Sequence, residues 1–305
     1  MMGTERILAG FDGSDESRDA LHLASVLAQI KGSRLEVVAV LLHHPLEPRL
    51  AADPDDAAAY FDWAFSEARN ELPGIPISRW DLQASAISAA RALSDLAVDE
   101  DIDLIVVGST HRGPWGRVMP GSVGERLVHA APCPVAITPR GFVDREYFRL
   151  GVVGIAYYGP EESESALQWT QDLAVELDAK LRIITTVNRP SPGWLGGPRA
   201  GSLRAQLRGA LESAAASVGS VLEVEPVFEE GESAAVLATH GAELDLLALG
   251  SRGNSLVRRT WLRGVSAGVT RAAPCPVVVV PSGIAPRADG SADVAASAAR
   301  SPPPA

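Results

Sequence analysis

The sequence predicts an α/β protein made of two tandem, doubly wound, five-stranded parallel-sheet domains. Three observations carry that expectation. The stretch Gly108–Val135 (GSTHRGPWGRVMPGSVGERLVHAAPCPV) returns as Gly250–Val277 (GSRGNSLVRRTWLRGVSAGVTRAAPCPV), and Gly108 to Gly250 and Cys133 to Cys275 are both offsets of 142. A period that long marks a duplicated domain, not a solenoid. Short apolar runs alternate with amphipathic stretches in both copies, which is the signature of a parallel sheet covered on both faces. DLIVVGS (103–109) and DLLALGS (245–251) are apolar without alternation, so each is a central strand buried on both sides.

The elements follow in order. RILAGF (6–11) is a buried strand ending at Asp12-Gly13-Ser14, a turn in which Ser14 or Asp15 caps the next helix. Ala20, Leu21, Leu23, Ala24, Leu27 and Ala28 form that helix's apolar face, and Gly32 ends it. RLEVVAVLL (34–42) is strand two, and this strand, helix, strand unit implies a parallel pair with a right-handed crossover. A helix starts within DPDDAAA (53–59) and runs to about Asn70, with Tyr60, Phe61, Trp63 and Phe65 expected against the sheet. ISRWDLQ (77–83) is strand three, Ala84 to about Glu100 the next helix, then DLIVVGS, a Gly-rich loop over 108–122, a short helix over 122–130 and the strand VAIT (135–138). Residues 1–140 make the first domain and 141–150 a linker. The second domain, 151–281, repeats the plan: strands at 151–157, 180–187, 222–228, 245–251 and 276–281, and helices at 161–178, 200–217 and 232–241. The tail, 282–305, is Ala, Ser, Pro and Arg without periodicity and reads as disordered.

Bulk properties narrow the function. The 305 residues are 46% hydrophobic and 21% charged, the balance of a water-soluble globular chain. A net charge of −11 leaves no basic footprint for nucleic acid or an anionic membrane. A small anionic ligand stays open, because backbone N–H groups hold phosphate without Lys or Arg. The two cysteines are inherited by duplication and read as small core residues between prolines. No signal peptide opens the chain and no apolar run reaches membrane-spanning length, so a cytoplasmic protein is expected. His43-His44 does not make a metal site, since adjacent residues on an extended segment point apart.

In an open parallel sheet, ligands bind beyond the carboxyl ends of the strands where strand order reverses. Asp12-Gly13-Ser14 and the loop after strand four meet that description. In the loop, Gly108 is followed by two residues and His111, then by nine residues and Gly121-Ser122 at a helix start. Glycines allow close approach to a phosphate, and Ser122 adds a hydroxyl at the positive end of a helix. No Lys follows the second glycine, so this is not a P-loop. The same residues also read as a glycine-capped connector. His111 and His129 have no evident Ser or Cys nucleophile beside them.

The chain resembles the universal stress protein family in its tandem form. The resemblance rests on ILAGFDGS (7–14), DLIVVGS (103–109), GSVGERLVHAAPCPV (121–135), DLLALGSRG (245–253) and APCPVVVV (273–280), and covers about 5–140 and 151–281. ATP-binding members carry Gly, two residues, Gly, nine residues, then Gly and Ser or Thr. They also carry an acid after strand one for the adenine or ribose end, and a Val at the end of strand two against adenine. The resemblance therefore implies ATP held by Asp12, Val40, Gly108, Gly121 and Ser122, with His111 standing where the family has its second glycine. In the second half Tyr158 replaces Asp12 and Pro160 replaces Ser14; Gly253 is kept, and Arg263-Gly264 stands for Gly-Ser. Binding is expected in the first domain, in a non-enzymatic, adenine-nucleotide-responsive module. A nucleotide-independent interaction scaffold and a weak adenine-nucleotide hydrolase, with FDGSDES as its phosphate loop, are the alternatives. Family members dimerise through their last strands. Here VAIT (135–138) and PVVVV (276–280) are expected to pair within one chain as an internal pseudo-dimer, and a homodimer is the further assembly the resemblance allows.

Overall fold

The computed structural model describes residues 5–43, 54–85, 89–144, 150–187, 198–251 and 273–283. The first half runs β1 (Arg6–Gly10), α1 (Asp15–Lys31), β2 (Arg34–His43), α2 (Pro54–Glu71), β3 (Ile77–Ser85), α3 (Ala89–Asp99), β4 (Leu104–Gly108), α4 (Ser122–Ala130) and β5 (Val135–Thr138). The second runs β6 (Val152–Ala156), α5 (Pro160–Glu176), β7 (Lys180–Val187), α6 (Pro198–Val218), β8 (Val224–Glu230), α7 (Ser233–His240), β9 (Leu246–Ser251) and β10 (Val277–Pro281).

Among the described residues the ten strands form one sheet in the order β3-β2-β1-β4-β5-β10-β9-β6-β7-β8. Each half is parallel, and the halves join where β5 and β10 pair antiparallel, Val277 opposite Ile137, Val278 opposite Ala136 and Val279 opposite Val135. The expected internal pseudo-dimer is therefore present, and the pairing covers two strand edges that would otherwise be open. Side chains alternate across the sheet, so Ala136 and Val278 pack on one face and Val135, Ile137, Val277 and Val279 on the other. The first face is covered by α1, α2, α5 and α6, the second by α3, α4 and α7. Lys31, almost buried, joins the halves by bridging Glu5 (2.6 Å) and Glu176 (3.2 Å).

Local chemistry sets the element ends. Ser14 caps α1 by accepting from Ser17 N (3.2 Å), and Gly32 closes it in the left-handed region at φ 60. Ala57, Phe61, Ala64 and Ala68 are the buried stripe of α2, whereas Trp63 is 46% exposed, so the α2 aromatics do not all pack against the sheet. Their positions at 60, 61, 63 and 65 span more than one helical face. The expected helix start at Ala84 is also corrected: β3 continues through Ala84 and Ser85, which pair with Leu42 and His43 of β2. A parallel ladder outweighs the helix preference of one alanine. At the amino end of β2, Glu36 holds Arg6 (Nε–Oε1 2.6 Å) and the Trp80 indole (2.5 Å). The matching position of β7 carries Arg182, paired with Glu225 (3.0 Å) and Glu243 (2.7 Å), so the duplicated cluster survives with its charge reversed.

Candidate functional site

Strand order reverses at β1, which lies between β2 and β4. Helix α1 leaves on one face and α3 returns on the other, and the sheet opens between them at the carboxyl ends of β1 and β4. A cleft of about 190 Å³ sits there, lined by Gly10, Phe11, Asp12, Ser14, Glu16 and Ser17 on one side and by Val38, Val40, Ala89, Leu93, Val107, Gly108, Ser109 and Val123 on the other. Three of the six sequence-predicted site residues, Asp12, Val40 and Gly108, meet in this cleft. His111 is exposed and does not line it. Gly121 and Ser122 stand two and one residues before Val123, at the start of α4, beside the cleft and not within its wall.

Asp12 is engaged locally. Its Oδ1 accepts from Ser14 N (3.0 Å) and Ser14 Oγ (2.5 Å), an Asx turn that sets up the Ser14 cap. Gly13 has φ +81, a region glycine favours, and an added Cβ would stand 3.0 Å from Trp63 Cζ2 and closer still to Cη2. The phenol of Tyr60 is pushed above its ordinary pKa, first by burial and then by the charge of Asp12.

Gly108 has a packing role that the sequence did not show. An added Cβ would stand 2.5 Å from the carbonyl carbon of Glu16 and closer still to its oxygen. The first turn of α1 therefore rests directly on the end of β4, and this brings Glu16, only 9% exposed, into the cleft wall.

The loop from Ser109 to Gly121 is folded back on itself. Ser109 bridges Pro120, Ser109 Oγ donates to Thr138 O (2.5 Å) and accepts from Met119 N (3.0 Å), and Thr110 N donates to Met119 O (2.7 Å). Gly116 N donates to Arg140 O (2.8 Å), and Val118 N donates across the seam to Ala273 O (2.9 Å). Gly121 caps α4 with extended backbone and no side-chain hydrogen bond, and Val123 in the first turn of α4 lines the cleft, so the positive end of this helix borders it. The sequence singled out neither Glu16, which stands inside FDGSDES, nor Arg140; only the approach of α1 to β4 brings the first into the site.

The second half is built differently at the same place. Tyr158, Thr186 and Ser233 occupy the positions that Asp12, Val40 and Ala89 hold in the first cleft. Tyr158 Oη is 2.7 Å from Thr186 Oγ1, and Thr186 Oγ1 donates to Ser233 Oγ (2.7 Å). Side chains thus bridge the ends of β6, β7 and α7 where the first half is open. Gly253, Arg263 and Gly264 lie outside the described residues, as do His44 and the tail from 284 onward. Among the described residues no group of His, Cys, Asp and Glu side chains forms a metal cluster, and no helix is long and apolar enough to cross a membrane.

Comparison with known proteins matches residues 3–139 and 151–281 to the universal stress protein family. Universal stress proteins of Mycobacterium tuberculosis and Mycobacterium bovis are each 29% identical over 90% of this chain and 99% of their own length. One from Thermus aquaticus is 34% identical over 43% of this chain and 96% of its own length. Among solved structures, a universal stress protein from Archaeoglobus fulgidus superposes with a TM-score of 0.59 at 22% identity, covering 90% of this chain and 96% of its own. A putative universal stress protein from Pseudomonas aeruginosa gives 0.61 at 17%, covering 91% and 93%. At such identities these two structures speak for the fold.

Proposed function

Since this chain belongs to the universal stress protein family, we propose that it is a non-enzymatic regulatory module that binds one adenine nucleotide, ATP, in its first half. The observation that carries the reading is the cleft at the β1/β4 divergence, where Asp12, Val40 and Gly108 come together beside the positive end of α4. The base and ribose lie against Val40, Val38 and Asp12. The phosphates run past Gly108 toward Ser122 and the first-turn N–H groups of α4. At about 190 Å³ the cleft is smaller than the ~300–1,000 Å³ pockets that engulf a drug-sized ligand. It encloses the nucleoside end and leaves the phosphates at its mouth. Binding without turnover is favoured by Asp12 and Ser14, whose side chains are committed to a turn and a cap. One nucleotide per chain is favoured by the Tyr158–Thr186–Ser233 bridge across the equivalent place in the second half.

The test is acid extraction of the purified protein for bound ATP or ADP, with calorimetry against ATP. The expected result is one site per chain, weakened at least about tenfold by Val40→Phe, which fills the cleft. Protein that carries no nucleotide and gives no heat with ATP sinks the reading. A nucleotide-independent interaction scaffold would then stand, favoured by the exposed face of His111, Arg112 and Trp115, the last 61% exposed.

A further inference from the structure

We propose that Arg140 sets the charge of the first-half cleft and makes it selective for a phosphate-bearing ligand over a neutral nucleoside. The inference rests on the nucleotide reading and adds a positioning residue to it. The cleft carries two carboxylates. Asp12 is exposed, but Glu16 is 9% exposed and stands where α1 touches Gly108, on the path the phosphates take. An unbalanced carboxylate there would repel a polyphosphate, because little water remains to screen it. Arg140 supplies the balance: its Nε lies 3.2 Å from Glu16 Oε1.

The guanidinium is held for this task from outside the cleft. It lies over the Trp115 ring (5.2 Å to the centroid), and its Nη1 donates to Gly113 O (3.3 Å). Its Nε is buried yet makes no hydrogen bond, so the Glu16 contact is an ion pair by distance and not by hydrogen-bond geometry. Buried donors without a hydrogen bond are rare. Arg140 Nε is one of them and is balanced by Glu16 through charge, so its charge reaches the cleft through that carboxylate. Arg112 and Arg117 in the same loop are exposed, where water weakens their effect. The second half fits the same logic. The position 142 residues after Arg140 is Ser282, and there the cleft is bridged by Tyr158 and has no anion to admit.

Calorimetry with ATP and with adenosine on the full chain and on Arg140→Met, Glu16→Gln and the double variant tests this. Arg140→Met is expected to weaken ATP by roughly tenfold, the effect of one charge across about 8 Å at an effective dielectric near 30, and adenosine by less than about twofold. Glu16→Gln alone is expected to tighten ATP, which keeps the idea testable if Arg140→Met folds poorly. The double variant is expected to return ATP affinity to within about threefold of the starting protein. Equal losses of ATP and adenosine in Arg140→Met, or no recovery in the double variant, overturn the proposal. If the unaltered protein binds ATP and Arg140→Met binds it equally well, this inference alone falls; if the unaltered protein binds neither ligand, the nucleotide reading falls with it.

Discussion

Replacing Gly108 by alanine separates two reasons for a glycine at the start of the loop. If it is there only so that a phosphate can approach the backbone, Gly108→Ala weakens ligand binding and leaves the empty protein as stable as before. The structure gives another outcome. The new methyl would sit 2.5 Å from the Glu16 carbonyl carbon and closer still to its oxygen, against an ordinary contact beginning near 3.4 Å, so α1 must retreat by at least about 0.9 Å. That helix cannot retreat freely, because its own Ala20, Leu21, Leu23 and Ala24 are fully buried in the core. Overpacking against rigid backbone costs about 3 kcal/mol, the upper part of the usual range. In a unit of this size that lowers the melting temperature by roughly 6–12 °C. Thermal melts in nucleotide-free buffer measure it. A melt within about 2 °C of the parent protein refutes the packing argument and returns Gly108 to the ligand alone.

Other consequences are equally direct. Asp19, 1% exposed, accepts from Gly141 N and Val143 N (both 2.8 Å), so Asp19→Asn strips an acceptor from this clasp and costs about 1–3 kcal/mol in urea unfolding. Burial first, against those hydrogen bonds, raises the Asp19 pKa, so the folded state holds a proton that the unfolded chain has already lost. The stability from that proton is fully present below the ordinary aspartate value of about 3.9 and is lost as pH rises through the raised one. The gap between parent and Asp19→Asn should widen as pH falls across that window, and an unchanged gap counts against the burial argument. Cys133, pushed up to about 12 chiefly by burial, should resist alkylation at pH 8 in folded protein and react on unfolding; rapid labelling of the native state would contradict the core assignment. Tyr158→Phe should cost about 0.5–1.5 kcal/mol and leave nucleotide stoichiometry unchanged, and a second site appearing in calorimetry would show that the hydroxyl alone keeps the second cleft shut.

The order of strands and helices was legible because each element has its own local mark: a continuous apolar run, an apolar stripe, Ser14 before α1 and Gly32 after it. What was not legible depended on neighbours. The end of β3 is set by pairing with β2, and Ala84-Ser85 carry no strand signal of their own. The aromatics of α2 were too closely spaced for one face, and the small residues Ala57, Ala64 and Ala68 turned out to define the inner one with Phe61. In the candidate site, Asp12 and Gly108 were expected from strand ends beside a topological switch and Val40 from the family resemblance, and the three line one cleft. Spacing alone pointed equally to His111, yet the loop folds through Ser109, Thr110 and Met119 so that residue 111 faces water. Glu16 and Arg140 lie 124 residues apart and meet only because the first turn of α1 and the chain just after β5 lie together at the carboxyl ends of the strands.

The duplication also explains which parts of the repeat stayed alike. Ala-Pro-Cys-Pro-Val is identical at 131–135 and 273–277, and both copies do the same work. Pro134 O accepts from Ile105 N (3.0 Å) and Pro276 O from Leu247 N (2.9 Å), and each segment leads into a strand of the β5/β10 seam. A change in either copy would disturb a pairing on which both halves depend. Ala273 carries this further, since its carbonyl holds Val118 in the first half's loop. The cleft positions are under no such mutual constraint, because each half closes or opens its own. Asp12 against Tyr158, Val40 against Thr186 and Arg140 against Ser282 are differences that the seam does not feel. One half is thereby free to close its cleft while still bracing the loop of the other, and this makes a single responsive site compatible with a fully paired ten-stranded sheet.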